Sequence, residues 1–527
     1  MSQSDTHPQS SSCKNPQLGP TSPPHTPLPT KGEISPYRTY YSKPSPRAHI
    51  PDHPLHTADN DKLQESIMIS WRSSEPSQER KRDMEDLRVL LTSAIDETFH
   101  PELIEFFDGE KKRRFEVEIV GSSSWGGEID NSTDVDLCIV DRALPRGYEP
   151  SMWLQPLSSS QIGSNTQARR GRYESSQNLP DCYSLKALSD CIEKVGMTHT
   201  KRHPLPLPLV KFVDPERKLG CDLQCNDLAG LYNCSLILAY CQISPYVLRP
   251  LIYTIKRWYK SISGKDPKLS NRLNKFKLSS YCLSLICIGY LQHIGQLPNL
   301  QEDIMARGYQ TIEEMMEDEE LIWGEWGRTQ GRAFHTTFAN KPKEYWKARD
   351  TKMIVAEVVR GFFQYFAQDT IDTKSESTYA EDSDHFNPIT HIISPLNGGI
   401  LPRILLYKDQ TYPNLEKDQM TYLNWKGYDP SQISLIMQHY RMAKSVQLEM
   451  KMGKGDRGLQ SYEWSERKLV VQDPFRWVKN QASGMSEEVC DGFFDCVNRT
   501  HRKLEELGKK ATIEDILTID MDGMEQL

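Results

Sequence analysis

Two carboxylates stand one residue apart in Asp134-Val135-Asp136-Leu137-Cys138-Ile139-Val140. Val135 to Val140 has the apolar character of a strand. Side chains alternate along a strand, so Asp134 and Asp136 share a face. Carboxylates held that close raise each other's pKa unless a cation sits between them. Mg²⁺ (or Mn²⁺) prefers such oxygen ligands and leaves positions open for substrate phosphates. Upstream, Phe115 to Val120 reads as a strand that enters a Ser/Gly loop, Gly121 to Gly127. Gly121 and Ser122 there offer backbone N–H groups and a hydroxyl suited to phosphate oxygens. An isolated Asp-x-Asp is more often a solvated strand edge; its place after a strand and a Gly-Ser loop points to a metal and phosphate site.

A third carboxylate would complete a two-metal centre. Asp222, in Cys221-Asp222-Leu223-Gln224-Cys225, fits, because the apolar residues of that short strand take the opposite face. Cys221 and Cys225, with His199 and His203 upstream, lack the spacing of common zinc modules and read as core cysteines.

The elements that must position these groups suggest an α+β unit followed by a mostly helical one. Residues 1–75 are rich in Pro, Ser, Thr and His and poor in apolar residues, so they are expected to be disordered. Met84, Leu87, Leu90, Leu91, Ala94 and Ile95 recur at helical spacing and predict a helix over 77–98. The catalytic unit is expected over 76–228, with a Ser-, Gly- and Arg-rich insertion at about 142–178. Within it, 184–195 reads as a helix, and 207–213 with 220–224 as a hairpin turning on Asp214-Pro215-Glu216-Arg217. Helices are expected over 231–240, 245–261, 278–293, 353–367 and 486–507, in a helical unit covering 229–510. A second insertion is expected at about 410–467, and an acidic tail at 511–527.

Composition excludes several classes. The net charge of −8 argues against a globally basic nucleic-acid binder, so RNA contacts should be local patches. Lys111-Lys112-Arg113-Arg114 and Lys201-Arg202-His203 are the candidates, although charge runs are often only solvated surface. The twelve cysteines form no CxxC pair, as in a reduced intracellular protein. The most apolar stretch, 281–291, is far shorter than the roughly 20 residues of a spanning helix, so no membrane is expected. The polar N-terminus has no apolar h-region, so no secretory signal is expected, and its shortage of arginine disfavours a mitochondrial transit peptide. The expected state is a cytoplasmic monomer, with a nuclear location left open and protein partners recruited through the N-terminal segment.

With these residues in place, the chain resembles the template-independent RNA nucleotidyltransferases of the DNA polymerase β-like superfamily. Within it, the resemblance is to cytoplasmic-type poly(A) polymerases and terminal uridylyltransferases. That family's pattern is Gly-Ser, about a dozen residues, Asp-x-Asp and a later third Asp; here these are Gly121-Ser122, Asp134/Asp136 and Asp222. Leu231-Tyr232-Asn233-Cys234-Ser235-Leu236, Lys256-Arg257-Trp258-Tyr259-Lys260 and Leu278-Ser279-Ser280-Tyr281 match its helical segments in order. Gly361 to Ala367 resembles the start of its poly(A)-polymerase-associated segment, and Asp473-Pro474-Phe475 to Asn480 its nucleotide-recognition loop.

The resemblance implies a palm with a mixed sheet, a helical domain, and an active site in the cleft between them. It implies addition of AMP or UMP from NTP to RNA 3′ ends, with Asp134, Asp136 and Asp222 as metal-binding catalytic residues. Asn233 and Cys234 would meet the ribose, Lys256 and Lys260 the β- and γ-phosphates, Ser280 a phosphate and Tyr281 the base. Asp473, Lys479 and Asn480 would recognise the base. Lys479 stands where uridylyl-specific relatives carry His, which leaves ATP and UTP both open. The competing expectations are a catalytically inactive RNA-binding scaffold and transfer to a small molecule.

Overall fold

The computed structural model describes residues 61–105, 111–130, 134–145, 147, 180–203, 208–265, 278–302 and 321–402 (apart from 327–328, 337, 340, 369–384 and 389–390). It also describes 467–518, apart from 477–478. Residues 1–60, nearly all of both expected insertions and residues 519–527 lie outside the described residues.

The first described element is a helix, α1 (Lys62–Ser73), where disorder was expected as far as residue 75. Asp61 caps it by accepting from the Leu63 and Gln64 amides. Leu63, Ile67 and Trp71, spaced four apart, are buried on one side of it. Averaged with the Pro- and Ser-rich stretch before it, this single amphipathic helix loses its signal.

Helix α2 (Gln78–Phe99) starts at Ser77, whose hydroxyl accepts from the Arg80 amide. It buries Met84, Leu87, Leu91 and Ile95. A small antiparallel pair, β1 (Ile104–Glu105) and β2 (Lys111–Lys112), precedes β3 (Phe115–Val120). Then come a one-turn helix α3 (Ser122–Trp125) in place of the expected loop, β4 (Val135–Asp141) and α4 (Leu185–Lys194). Strands β5 (Thr198–His203), β6 (Leu209–Asp214) and β7 (Leu219–Cys225) complete the unit.

The sheet order is β3-β4-β7-β6-β5. β4 and β7 run parallel, and every other neighbouring pair is antiparallel. The expected hairpin forms between β6 and β7: the Asp214 carboxylate accepts from the Glu216 and Arg217 amides and pairs with the Arg217 guanidinium at 2.9 Å. Val117, Val135, Leu137, Ile139, Val210, Phe212, Cys221 and Leu223 pack on one face of the sheet with the inner residues of α2 and α4.

The rest of the described chain is mostly helical: α5 (Leu228–Ile243), α6 (Leu248–Lys265), α7 (Ser280–His293), α8 (Val355–Phe366), α9 (Glu487–Leu507) and α10 (Ile513–Leu517). Two hairpins, β8 (Leu321–Trp326) with β9 (Thr329–His335) and β10 (His391–Ser394) with β11 (Gly399–Pro402), sit between helices. Trp258 is fully buried among Phe363 and Phe493, and its indole N–H donates to Thr500 Oγ1 at 3.0 Å. The core around it includes α1, and from the sheet it takes Val120, Cys138 and Val140. The sheet therefore lies between two apolar clusters, and its second face meets the helices. Among the described residues no helix is long and apolar enough to cross a membrane.

Candidate active site

The register of the sheet assembles the carboxylates. Asp136 on β4 is directly paired with Asp222 on β7. Directly paired side chains on neighbouring strands share a face. That face is opposite the one that Val135, Leu137, Cys221 and Leu223 bury. Asp134 stands just before β4, with its Oδ1 over Gly220: a Cβ added at Gly220 would meet that oxygen at 2.4 Å. Burial, then the charges of Asp222 and Asp134, push the Asp136 carboxyl up to about 6, while Lys211 and Lys256 pull the other way. Three carboxylates separated by up to 88 positions in sequence thus act on one another electrostatically.

Lys211 on β6 was not anticipated as a site residue. It pairs with Asp222 across the strands, and its ammonium reaches Asp222 Oδ2 at 2.6 Å. Burial works against the Lys211 charge, and the hydrogen bond and field of Asp222 outweigh it, so its pKa is raised. The other oxygen, Asp222 Oδ1, is buried with no hydrogen-bond partner among the described residues. No three His, Cys, Asp or Glu side chains among those residues form a ready-made metal cluster. The donor set still suits a hard cation: all its donors are carboxylate oxygens, they repel one another, and one buried oxygen is unsatisfied.

The glycine–serine segment folds over Asp136. Gly121 has φ +67°, in the region that favours glycine, and a Cβ there would stand 2.0 Å from Asp136 Oδ2. Ser122 opens α3 directly after it. The Cys234 thiol is committed to this turn: its Sγ accepts from the Gly121 amide at 3.1 Å and donates to the Gly121 carbonyl at 3.5 Å. Cys234, expected to meet the ribose, thus clamps the Gly-Ser turn.

The two lysines of α6 meet the chain just beyond α3. Lys256 is buried, donates to the Gly127 carbonyl, and lies 5.6 Å from the Trp125 ring centre. Burial lowers its pKa to about 8, against the fields of Glu128, Asp136 and Asp130. Lys260 is exposed and pairs with Asp130 at 2.8 Å. Both thus converge on the acidic stretch around 127–130. Glu128 and Asp130, also unanticipated, partner Ser123 and Lys260.

On the far side, the Tyr281 hydroxyl donates to Asn233 Oδ1 at 2.7 Å, which joins α7 to α5. Ser280 is exposed at the start of α7, while Ser279 caps that helix through the Cys282 amide. Asp473 and Asn480, expected to contact a base, are engaged within their own loop. Asp473 is buried and accepts from the Phe475 and Arg476 amides and from Gln481. Asn480 is buried, accepts from the Val471 and Ala482 amides, and donates to the Leu469 carbonyl. Both side chains shape the loop that carries Lys479. Burial raises the Asp227 carboxyl, and the charges of Arg476 and Lys479 oppose that rise, which places both cations near the start of α5.

Comparisons with known proteins agree with this layout. A family model described as the central palm domain of mitochondrial-like poly(A) RNA polymerase matches residues 63–242. The human poly(A) RNA polymerase GLD2 is 30% identical over 186 residues, which is 35% of this chain and 32% of that protein. The zebrafish speckle targeted PIP5K1A-regulated poly(A) polymerase is 27% identical over 208 residues, 38% of this chain and 22% of that protein. The matched stretch thus spans about a third or less of these relatives. The solved structure of mtPAP in complex with ATPγS is 13% identical and superposes with a TM-score of 0.51, covering 87% of this chain and 72% of that one; at this identity the likeness speaks for the fold. Residues 63–242 are thus similar to the central palm domain of poly(A) RNA polymerases.

Proposed function

We propose that the protein adds AMP or UMP from the nucleoside triphosphate to RNA 3′ ends and releases pyrophosphate. The observation that carries this reading is the convergence of Asp134, Asp136 and Asp222 on one sheet face, beside the Gly121 turn, in a palm matched to poly(A) RNA polymerases.

In the reaction, the 3′-hydroxyl oxygen bonds to the α-phosphorus, the bond to the β-phosphate bridging oxygen breaks, and the hydroxyl proton is lost. Asp134 and Asp136 would hold divalent cations, Mg²⁺ or Mn²⁺, with Asp222 on the side of the attacking hydroxyl. Such ions neutralise the triphosphate and lower the pKa of the attacking group. Lys256 and Lys260 lie along the stretch that follows the Gly-Ser turn, where they suit the β- and γ-phosphates. Asn233 and Tyr281 offer a ribose contact and a stacking ring. The Lys479 and Arg476 side chains carry donor groups only, which suits uracil carbonyl oxygens or adenine ring nitrogens.

The test is extension of a labelled oligo-RNA with Mg²⁺ and one NTP at a time. Extension with ATP or UTP is expected, and Asp136→Asn should lower it by about 100-fold or more while unfolding at the wild-type temperature. Failure of the folded wild-type protein to extend RNA with any NTP would overturn the proposal in favour of a scaffold.

A further inference from the structure

The row of side chains that begins at the carboxylates continues to the edge of the sheet. Asp136 pairs with Asp222, Asp222 with Lys211, and Lys211 with Lys201 on β5. Directly paired residues share a face. One face of the sheet therefore reads acid, acid, base, base, from the centre of the site to its rim. At about 4.8 Å per strand, Lys201 lies roughly 10 Å from Asp222.

The end strand of this row is unusual. β5 reads Thr-His-Thr-Lys-Arg-His and has no apolar side chain, and each of its residues is exposed or half-buried. It contributes nothing to either core. Lysine on an edge strand can serve simply to block pairing with another chain. That bland role makes no distinction between the two faces of the strand. Arg202, the neighbour of Lys201, pairs with Val210, which is fully buried in the cluster under α2 and α4. Arg202 therefore lies on the face away from the carboxylates, with the same charge and similar exposure.

We propose that Lys201 and Lys211 form a track for the phosphates nearest the 3′ end of the RNA acceptor, delivering its terminal hydroxyl to Asp222. Lys201 holds a phosphate at the rim. Lys211 stands between that phosphate and the Asp222 carboxylate it already touches at 2.6 Å. The inference rests on the reading of the site as an RNA 3′-end transferase, and it adds the direction from which the acceptor enters.

The pair Lys201→Ala and Arg202→Ala tests it, because the two residues differ chiefly in the face they occupy. The full chain is titrated into a fluorescently labelled oligo-RNA, in EDTA and without NTP, at several salt concentrations. Thermal unfolding of both variants is recorded alongside. Lys201→Ala should raise Kd about three- to tenfold and flatten the log–log salt dependence by about 0.7, the value of one single-strand phosphate contact. It should also raise the KM for RNA while leaving kcat nearly unchanged. Arg202→Ala should leave all of these at wild-type values. Equal losses from the two variants, no loss from Lys201→Ala, or absence of RNA binding by the wild type would each overturn the track. A wild type that binds RNA through Lys201 yet extends it with no NTP would instead sink the transferase reading and leave the track standing.

Discussion

A methyl group at Gly121 would stand 2.0 Å from Asp136 Oδ2, in a backbone conformation with φ +67°. The turn that carries Gly121 past Asp136 therefore depends on the absence of a side chain there. Gly121→Ala is expected to lower stability by about 1–3 kcal/mol. It should also reduce nucleotide incorporation more than that loss explains, because Asp136 must swing aside. Urea unfolding and extension kinetics on the same preparation check both, and a stable variant with wild-type turnover would refute the steric argument. At this scale the three aspartates were legible in the sequence, because Asp-x-Asp on a strand and a lone Asp between buried positions are local patterns. Lys211 was not legible, because its partner is chosen by the register between β6 and β7. Asp473 and Asn480 show a related ambiguity. A polar side chain that caps its own loop looks, in sequence, like one offered to a ligand.

Strand β3 shows how an element carries the electrostatics of the site. Glu118 lies on the same strand as Glu116 and pairs with Cys138 across the ladder to β4. Burial, then the charge of Glu116, pushes the Glu118 carboxyl up to about 8. A carboxyl whose folded pKa exceeds its unfolded value destabilises the fold once it ionises. The loss is absent below about 4.5, grows between 4.5 and 8, and is complete above 8. Glu118→Gln should therefore lose less Tm than the wild type between about pH 5 and pH 8. Parallel Tm–pH curves for the two proteins would contradict it. Many elements were legible: β3 falls where the sequence pattern puts it, and the ends of α2, α4 and α9 fall within about one residue of the expected ranges. Helix α1 and strand β5 were not, the first hidden by its polar surroundings and the second lacking any apolar alternation.

For the molecule as a whole, α1 precedes the sheet in sequence yet belongs to the helical core. The Arg360 guanidinium donates to both Asp61 oxygens, at 2.7 and 3.0 Å, and to the Gly508 carbonyl at 3.1 Å. One side chain thus ties the start of α1, the middle of α8 and the end of α9. Arg360→Met leaves the Asp61 carboxylate buried without its partner. The expected loss is about 2 kcal/mol, below that of a fully buried pair because the guanidinium is a quarter exposed. Chemical unfolding followed by tryptophan fluorescence would show a lower midpoint in a single transition. An unchanged midpoint would mean that the tie is dispensable.

The parallel pairing of β4 with β7 has a consequence for how this architecture tolerates change. Asp136 and Asp222 are set opposite each other by a ladder of backbone hydrogen bonds, whatever the length of chain that joins Asp141 to Asp181. The entropy of closing such a connection grows only with the logarithm of its length. A change in the length of that connection should therefore cost little, while the spacing of the two carboxylates is kept by the strand pairing.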